Sequence, residues 1–371
     1  MTQAVRYSII VPIYNSQRVI QRCLEALANQ TVPRQQYEIL VVDDGSTEPV
    51  PQSLETNPDI HLIRIPHGGP AVARNAGVAA ARGDIVAFTD SDCAPAPDWL
   101  EKITQPFRSK RVVGVKGVYR TQQTELIARF VQLEYQYKYD RMAKLPHVDF
   151  IDTYSAAYRR DIFLQNNGFD TSFTVPSVED QEFSFRLAQK GYHLEFIPTA
   201  AVFHEHDRNL SDYWKRKFGI GYWKAYMLRW LPQKTFNDSH TSPSQRWQIG
   251  FLGLALITLA LSLFIPGLLW LAGVATGMFF FSGLRFLYFV MRHDLVAGLW
   301  TPLMLVVRAA ALGAGLAVGF IMPPRRAQHQ SPALQMGTFF IKRMVDLAGS
   351  VVGLIISSPM MLIAAVAIRL D

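Results

Sequence analysis

The chain opens with short continuous apolar runs that alternate with stretches in which apolar residues recur at helical spacing. Tyr7 to Tyr14 is an unbroken run of strand length, the pattern of a strand buried on both faces. Asn15 and Ser16 stand where they can cap a helix carrying Val19, Ile20, Cys23, Leu24 and Leu27 on one face. A second apolar run, Tyr37 to Val42, leads straight into Asp43-Asp44-Gly45-Ser46. A third, His61 to Ile65, is followed by the glycine turn His67-Gly68-Gly69-Pro70 and a helix over Ala71 to Ala81. A fourth, Asp84 to Thr89, ends in Asp90-Ser91-Asp92. Strand and helix alternating in this way predict an α/β fold with a mostly parallel, Rossmann-like sheet and crossover helices. Ligands of such sheets sit at the carboxyl ends of the strands. Asp43, Asp44, Asp90 and Asp92 all fall there.

The pattern changes near Ile249. Ile249 to Ile265 is apolar and barely long enough to cross a bilayer, which takes about 20 residues in a helix. Pro266-Gly267 breaks it. Leu268 to Val290 follows with Arg285 as its one charge, then the polar turn Arg292-His293-Asp294, then Leu295 to Met322 with Arg308 in its middle. The organisation expected is a catalytic domain over 1–245, transmembrane or re-entrant helices over 246–322, a linker over 323–338 and a proline-bent apolar helix over 339–371. The bend is placed at Ser358-Pro359, because proline removes a backbone hydrogen bond from a helix interior.

The net charge of +7 gathers beside the apolar segments, at Lys215-Arg216-Lys217, Arg229, Lys234, Arg246 and Arg325-Arg326. Basic flanks mark the cytoplasmic side of a membrane segment and attract anionic headgroups, so nucleic acid is not required as a partner. Plain surface charge is the alternative. Cys23 and Cys93 lack the spacing of a disulfide framework or zinc site. Met1 to Arg6 is short and polar, and the apolar run behind it is too brief for a signal peptide. The soluble domain is expected in the cytoplasm.

Two carboxylates separated by one residue, directly after an apolar strand, can share a hard divalent cation that also takes phosphate oxygens. An Asp-x-Asp elsewhere would read as a solvated loop. At this point residues 6–230 resemble the family 2 inverting glycosyltransferases of the glycosyltransferase A fold. The matches are Val11-Pro12-Ile13-Tyr14-Asn15, Val42-Asp43-Asp44-Gly45-Ser46, Ala73-Arg74-Asn75-Ala76-Gly77, Asp90-Ser91-Asp92, Gly168-Phe169-Asp170 and Glu179-Asp180-Gln181-Glu182-Phe183.

The resemblance implies a nucleobase pocket at Pro12, Tyr14 and Asn15, with Asp44 accepting a hydrogen bond from the base, uracil in most relatives. It places Arg74 close to the diphosphate, and Asp90 and Ser91 in the donor site. Asp92 would ligate Mn²⁺ or Mg²⁺, with Asp90 and His204 as further candidates. Asp180 would be the base that takes the acceptor hydroxyl's proton, and Glu179 would help to orient it. Three alternatives stay open: Tyr14 as core, Asp43 as structural, and Arg74 paired with an acidic neighbour. First-turn acids can also simply stabilise a helix dipole, and His204 can be structural. Lys215 to Lys217 could touch diphosphate or the membrane surface. The Gln-x-x-Arg-Trp motif of processive members is absent, which implies addition of one or a few sugars.

Lys342-Arg343, Asp346, Ser358-Pro359 and Leu370-Asp371 resemble the opening re-entrant helix of the monotopic phosphoglycosyl transferases, without the acidic pair that lies downstream in that family. The expectation is a fusion, truncated before that second activity. Its partners would be a nucleotide-sugar donor, a polyprenyl-diphosphate-sugar acceptor, membrane lipid and, as an open option, a second copy of the chain. The place would be a bacterial inner membrane during surface glycan assembly. Two cytoplasmic active sites require an even number of crossings between them, met by spans at Ile249–Ile265 and Leu268–Met291 with Leu295–Met322 re-entrant or interfacial. The competing readings are a non-catalytic nucleotide-sugar scaffold and a nucleotidyltransferase. The first should lack the acidic residues, and the second should carry a glycine-rich basic loop after the first strand; neither pattern is present.

Overall fold

The computed structural model describes residues 5–176, 178–229, 231 and 241–322. Among them the elements run β1 (Tyr7–Ile13), α1 (Ile20–Ala28), β2 (Tyr37–Asp43), α2 (Gln52–Thr56), β3 (Ile60–Arg64), α3 (Pro70–Ala80), β4 (Ile85–Phe88), β5 (Cys93–Pro95), α4 (Trp99–Thr104), β6 (Val112–Arg120), α5 (Leu126–Met142), β7 (Ala156–Arg159), α6 (Arg160–Gln165), α7 (Glu179–Gln189), β8 (His193–His204), α8 (Leu210–Met227), α9 (Pro243–Leu261), α10 (Leu269–His293) and α11 (Leu295–Ile321).

The strands form one sheet of eight in the order β3-β2-β1-β4-β7-β6-β8-β5. β3, β2, β1 and β4 are parallel, as the continuous apolar runs predict. Beyond β4 the sheet becomes mixed: β7 is antiparallel to β4 and β6, β8 is parallel to β6, and β5 is antiparallel to β8. One apolar cluster around Ile9, Val11, Leu27, Val41 and Trp99 fills one face; another around Ile10, Val42, Ala73, Phe88 and Phe183 fills the other. The crossover helix α3 lies tight on the sheet because Gly77 has no side chain. A Cβ there would sit 2.6 Å from Cγ2 of Ile10.

One expectation about the first turn is corrected. The helix begins at Ile20 behind Val19, and no side chain caps it. Asn15 instead adopts a left-handed φ of 51° and pins the loop after β2. Its Oδ1 accepts from the backbone N–H groups of Thr47 and Glu48, and its own N–H donates to Ser46 Oγ at 3.0 Å. A short polar side chain tolerates that conformation and satisfies backbone donors at once.

In the C-terminal part, the segments Pro266–His293 and Leu295–Ile321 are long and apolar enough to cross a membrane by length and composition. They are not the pair expected from the sequence. Ile249–Ile265 falls within α9 and the turn after it, and α9 begins with the polar turn Pro243-Ser-Gln-Arg246 behind its Ser242 cap. Asp294 alone joins α10 to α11. It caps α11 by accepting from Ala297 N–H and takes a bidentate pair from Arg129 of α5 at 2.6 and 2.7 Å.

α11 rests on α8 through glycines. Cβ atoms at Gly315 and Gly319 would meet the carbonyl oxygens of Phe218 and Tyr222 at 2.1 and 2.4 Å, so the two backbones touch. Small residues permit such close helix crossings. Arg308, midway along α11, donates to Glu134 of α5 and Gln248 of α9, each at 2.8 Å. Its charge is met inside the protein. The linker 323–338 and the proline-bent segment 339–371, with Lys342, Arg343, Asp346 and Pro359, lie outside the described residues.

Candidate active site

The carboxyl ends of β1, β2 and β4 bring the acidic motifs together. Asp44, 4% exposed, accepts from the N–H groups of Gly68 and Gly69 at 2.8 and 2.9 Å. His67 Nδ1 lies 2.9 Å from the same carboxylate, and the His67 ring stacks on Tyr14 with centroids 4.4 Å apart. Gly69 has φ +94°, and a Cβ on it would strike the Thr174 carbonyl at 2.6 Å, so only glycine fits this turn. Tyr14 is 44% exposed, which removes the core alternative for it. Pro12 stays in β1, paired with Val42. Asp43 turns to its own loop and accepts from Ser46 N–H. Ser91 Oγ bonds Ser16 Oγ at 3.1 Å, tying the loop after β4 to the one after β1.

Arg74 projects from α3 beneath these loops and is buried. It donates to Asp90 at 2.7 Å and to Glu179 at 2.8 Å. Burial opposes its charge, but the two carboxylates outweigh that and hold the guanidinium above its ordinary pKa. The pairing with acidic neighbours is therefore realised. Its Nε is buried with no hydrogen-bond partner among the described residues.

Asp90 and Asp92 part company. Asp90 faces Arg74, while Asp92 points to the side where β5 pairs with the end of β8, Cys93 opposite His204. His204 Nδ1 lies 3.5 Å from Asp92 Oδ1, and Asp92, Cys93 and His204 present ligand atoms within 4.8 Å of one another. Burial raises the Asp92 carboxyl, and His204 more than offsets it, so the group lies below the usual carboxylate range. Burial and the charges of Asp92 and Asp90 push the Cys93 thiol well up. A neutral thiol is a poor metal ligand, whereas a half-exposed carboxylate beside an imidazole suits Mn²⁺ with positions left for phosphate oxygens. Asp92 and His204 fit a divalent ion; Asp90 is not brought into that set.

Glu179 and Asp180 open α7, as expected from their spacing. Asp180 Oδ2 accepts from Thr153 N–H at 3.1 Å, and Oδ1 from Gln181 N–H at 2.7 Å. Burial and the neighbouring charge of Glu179 push its carboxyl up to about 7, against those hydrogen bonds and the charge of Arg74. It lines a cavity of about 450 Å³ whose wall also includes Arg74, Asp90, Tyr154 and Trp223 and reaches Phe286 of α10 and Leu312 of α11.

Several residues of the site were not marked by the motifs. His67 could have been found from its place in the glycine turn. Lys116 could not: it sits in the middle of β6, wholly buried, in an ion pair with Asp152 and over the ring of Tyr154. Tyr119, on the same strand, stacks on His204 at 4.6 Å. Of the basic run, Lys217 pairs with Glu134 at 2.9 Å and Arg216 with Asp207 at 2.6 Å.

Residues 8–165 match the family model "Glycosyl transferase family 2". The chain is 31% identical over 237 residues to the pre-mycofactocin glycosyltransferase of Mycobacterium tuberculosis, covering 62% of this chain and 48% of that one. It is 29% identical over 240 residues to the glycosyltransferase AglE of Haloferax volcanii, covering 60% and 74%. The match thus spans about half the length of the mycobacterial protein. Among solved structures, the mannosyltransferase PcManGT of Pyrobaculum calidifontis, in complex with GDP-Man and Mn²⁺, superposes with a TM-score of 0.57 at 22% identity. That likeness covers 87% of this chain and 89% of the other.

Proposed function

Residues 8–165 carry a glycosyl transferase family 2 domain, and from that premise we propose that the chain is a membrane-anchored, metal-dependent inverting glycosyltransferase. It moves a sugar from a nucleotide-sugar donor to a lipid-linked acceptor of the polyprenyl-diphosphate-sugar type. The observation that carries the reading is Asp180, a carboxylate poised near 7 in the wall of a cavity that also holds Arg74 and Asp90. A general base works best when its pKa lies near the operating pH.

The nucleobase packs against Tyr14 at the ends of β1 and β2, with Asn15, Asp44 and Ser91 holding the loops that shape its pocket. Arg74 Nε is the donor left over for the diphosphate. Asp92 and His204 would hold Mn²⁺ or Mg²⁺, and a divalent ion there would supply charge neutralisation for the departing nucleoside diphosphate. Asp180 takes the proton of the acceptor hydroxyl as that oxygen bonds to the anomeric carbon. The bond from that carbon to the diphosphate breaks on the opposite face, so the configuration inverts. Glu179 keeps the base's pKa high and its side of α7 in place.

The acceptor class and the anchoring draw on the apolar part of the molecule. Leu263, Trp270, Phe281, Tyr288 and Leu299 are among many large apolar side chains exposed from Trp247 to Met322. So large an exposed apolar surface marks a membrane or partner contact, and the same helices give Phe286 and Leu312 to the wall of the cavity that holds Asp180. The catalytic domain is then cytoplasmic, where nucleotide sugars are, and the membrane is a bacterial inner membrane. By its sequence, the segment 339–371 would add a membrane helix of the phosphoglycosyl transferase type to this anchor.

The test is a screen of UDP-, GDP- and dTDP-sugars with Mn²⁺ against a polyprenyl-diphosphate-linked sugar, using the full chain in detergent. Transfer from one donor, lost on chelation and in Asp180→Asn, is expected. Nucleotide-sugar binding without turnover under every condition would defeat the catalytic reading in favour of a scaffold.

A further inference from the structure

Of the two segments long and apolar enough to cross a bilayer, Leu295–Ile321 is held by the catalytic domain at both ends. At its start, Asp294 takes the bidentate pair from Arg129 of α5. Midway, Arg308 donates to Glu134, also of α5, at 2.8 Å. Near its end the backbone of α11 touches that of α8 at Gly315 and Gly319. Arg229, just past α8, donates to the carbonyl oxygens of Gly319 and Phe320 at 3.2 and 3.0 Å. α8 is itself seated on the domain: Lys217 pairs with Glu134 at 2.9 Å, and Trp223 and Tyr226 pack on Phe173. The two faces of α11 differ along its whole length. Ala297, Thr301, Leu305, Leu312 and Gly319 recur at helical spacing and are buried, whereas Val296, Leu299, Leu303, Val318 and Ile321 fall on the opposite face and are exposed. Between Leu303 and Val318 that outer face is continued by Val306, Val307, Ala310 and Ala314, so no charge interrupts it.

From Asp294 to Gly319 the helix advances about 38 Å, at roughly 1.5 Å per residue. The hydrocarbon of a bilayer is about 30 Å thick. Were α11 to cross it, Arg129 and Arg229 would have to stand on opposite sides of the membrane. Glu134 and Lys217 would also be carried with Arg308 toward mid-depth, where a charged side chain is least tolerated. All four belong to elements that come before the first apolar segment, so neither condition can be met. We infer that α11 lies in the plane of the membrane, with its outer stripe in the headgroup–acyl boundary of one leaflet, and does not cross. A helix with one apolar face outward along its length suits that boundary. The inference rests on the membrane-anchored reading and says how the anchor is built. α9 and α10 leave the domain and return to it at Asp294, and α11 then runs beneath the domain. The chain therefore passes Met322 on the same side of the membrane as the donor site, and a segment that follows begins there.

The experiment measures depth in the bilayer and does not depend on turnover. The full chain, reconstituted in vesicles of phosphatidylcholine and phosphatidylglycerol, carries one nitroxide at a time in Leu299→Cys, Leu303→Cys, Val318→Cys and Ile321→Cys. All four positions are exposed, and Cys23 and Cys93 are buried, so the unsubstituted chain supplies the background. Depth is read from accessibility to oxygen against a water-soluble nickel chelate. An in-plane helix places all four labels within about 10 Å of one boundary. A crossing helix would shift depth by roughly 33 Å from Leu299 to Ile321, through the bilayer centre, and that result would overturn the inference. Labels shielded from both reagents, with spin–spin broadening that disappears on dilution with unlabelled chain, would give the stripe to a second copy and overturn it equally. In an independent arm, a membrane-impermeant maleimide should label Met322→Cys only where it labels Ser53→Cys of α2, in inverted vesicles of the expression host and not in spheroplasts. Labelling of Met322→Cys in spheroplasts would again overturn the in-plane placement. Phe281→Cys, halfway along α10, separates the two readings. A nitroxide there that meets the nickel chelate as freely as one in water means that the membrane-anchored reading itself fails. If it lies in lipid while the α11 labels deepen steadily, only the in-plane placement fails.

Discussion

Glu179→Gln tests whether Asp180 is the titrating base. The rate of an enzyme that needs Asp180 ionised rises with pH through the pKa of that group, here about 7, and levels above it. At pH 6 the native enzyme should therefore run at about one-tenth of its plateau. Part of the elevation comes from the Glu179 charge, and Glu179 also draws on Arg74 at 2.8 Å. Removing that negative charge releases Arg74's field toward Asp180, so both consequences lower the base. A charge in contact range moves a carboxyl by about 1–3 units, and the lower figure suits a group that keeps some solvent access. With a shift of about one unit, half of Asp180 is ionised at pH 6, and the variant should run at about half its own plateau, roughly fivefold above the native fraction. The assay is the initial rate of nucleoside diphosphate release with saturating Mn²⁺ from pH 5 to 9, each profile scaled to its own maximum. Asp180→Asn should leave only a low rate without the acidic limb. An acidic limb that stays at 7 in Glu179→Gln, or moves to higher pH, would refute the assignment.

Two further outcomes follow from the packing and the metal site. Arg308→Met leaves Lys217 as the remaining cation on the buried Glu134 carboxylate, which the two together hold down to about 2 against burial, removes the donor to Gln248, and should cost about 1–3 kcal/mol of unfolding free energy. Combining it with Glu134→Gln should recover much of that loss in a denaturation double-mutant cycle in detergent, and strictly additive losses would mean the pair is not coupled. Asp92→Asn and His204→Ala should each raise the Mn²⁺ concentration for half-maximal activity by on the order of tenfold or more; an unchanged metal titration in either would remove that residue from the site.

The parallel half of the sheet was legible because strands buried on both faces read as unbroken apolar runs, and each ends at a motif. The antiparallel half carries no such mark. β6 contains Gly114, Lys116 and Gly117, and its lysine is tolerable in a core only because Asp152 and three aromatic rings, those of Tyr139, Phe150 and Tyr154, surround it. β8 carries the exposed Pro198 and Thr199 in its middle, where its pairing with β6 shifts register. The divergence of Asp90 from Asp92 was also beyond sequence reasoning. It is decided by Arg74, sixteen residues before Asp90, and by a β5–β8 pairing that sets His204 opposite Cys93, 111 positions away, and so alongside Asp92. Local motifs name the residues; long-range contacts assign their partners. The apolar helices were found by composition, but composition does not say which of them packs on the domain.

That last point bears on how the two parts work together. An arginine in the middle of a 27-residue apolar helix is expensive if it faces lipid. Here it is met by Glu134 of α5, and the same helix lies against α8 with glycine at the crossing. Asp294, at the start of α11, is held by Arg129 of α5. α11 is therefore fixed to α5 at two points by charge pairs, and to α8 by close backbone contact at Gly315 and Gly319. A tether that only kept the domain near a bilayer would need none of these. Under the proposed reading, in which a lipid-linked acceptor reaches Asp180, helices packed this closely on the wall of the cavity would set where the two meet, so mutations on the α11 face toward α8 should act on acceptor KM before they act on donor binding.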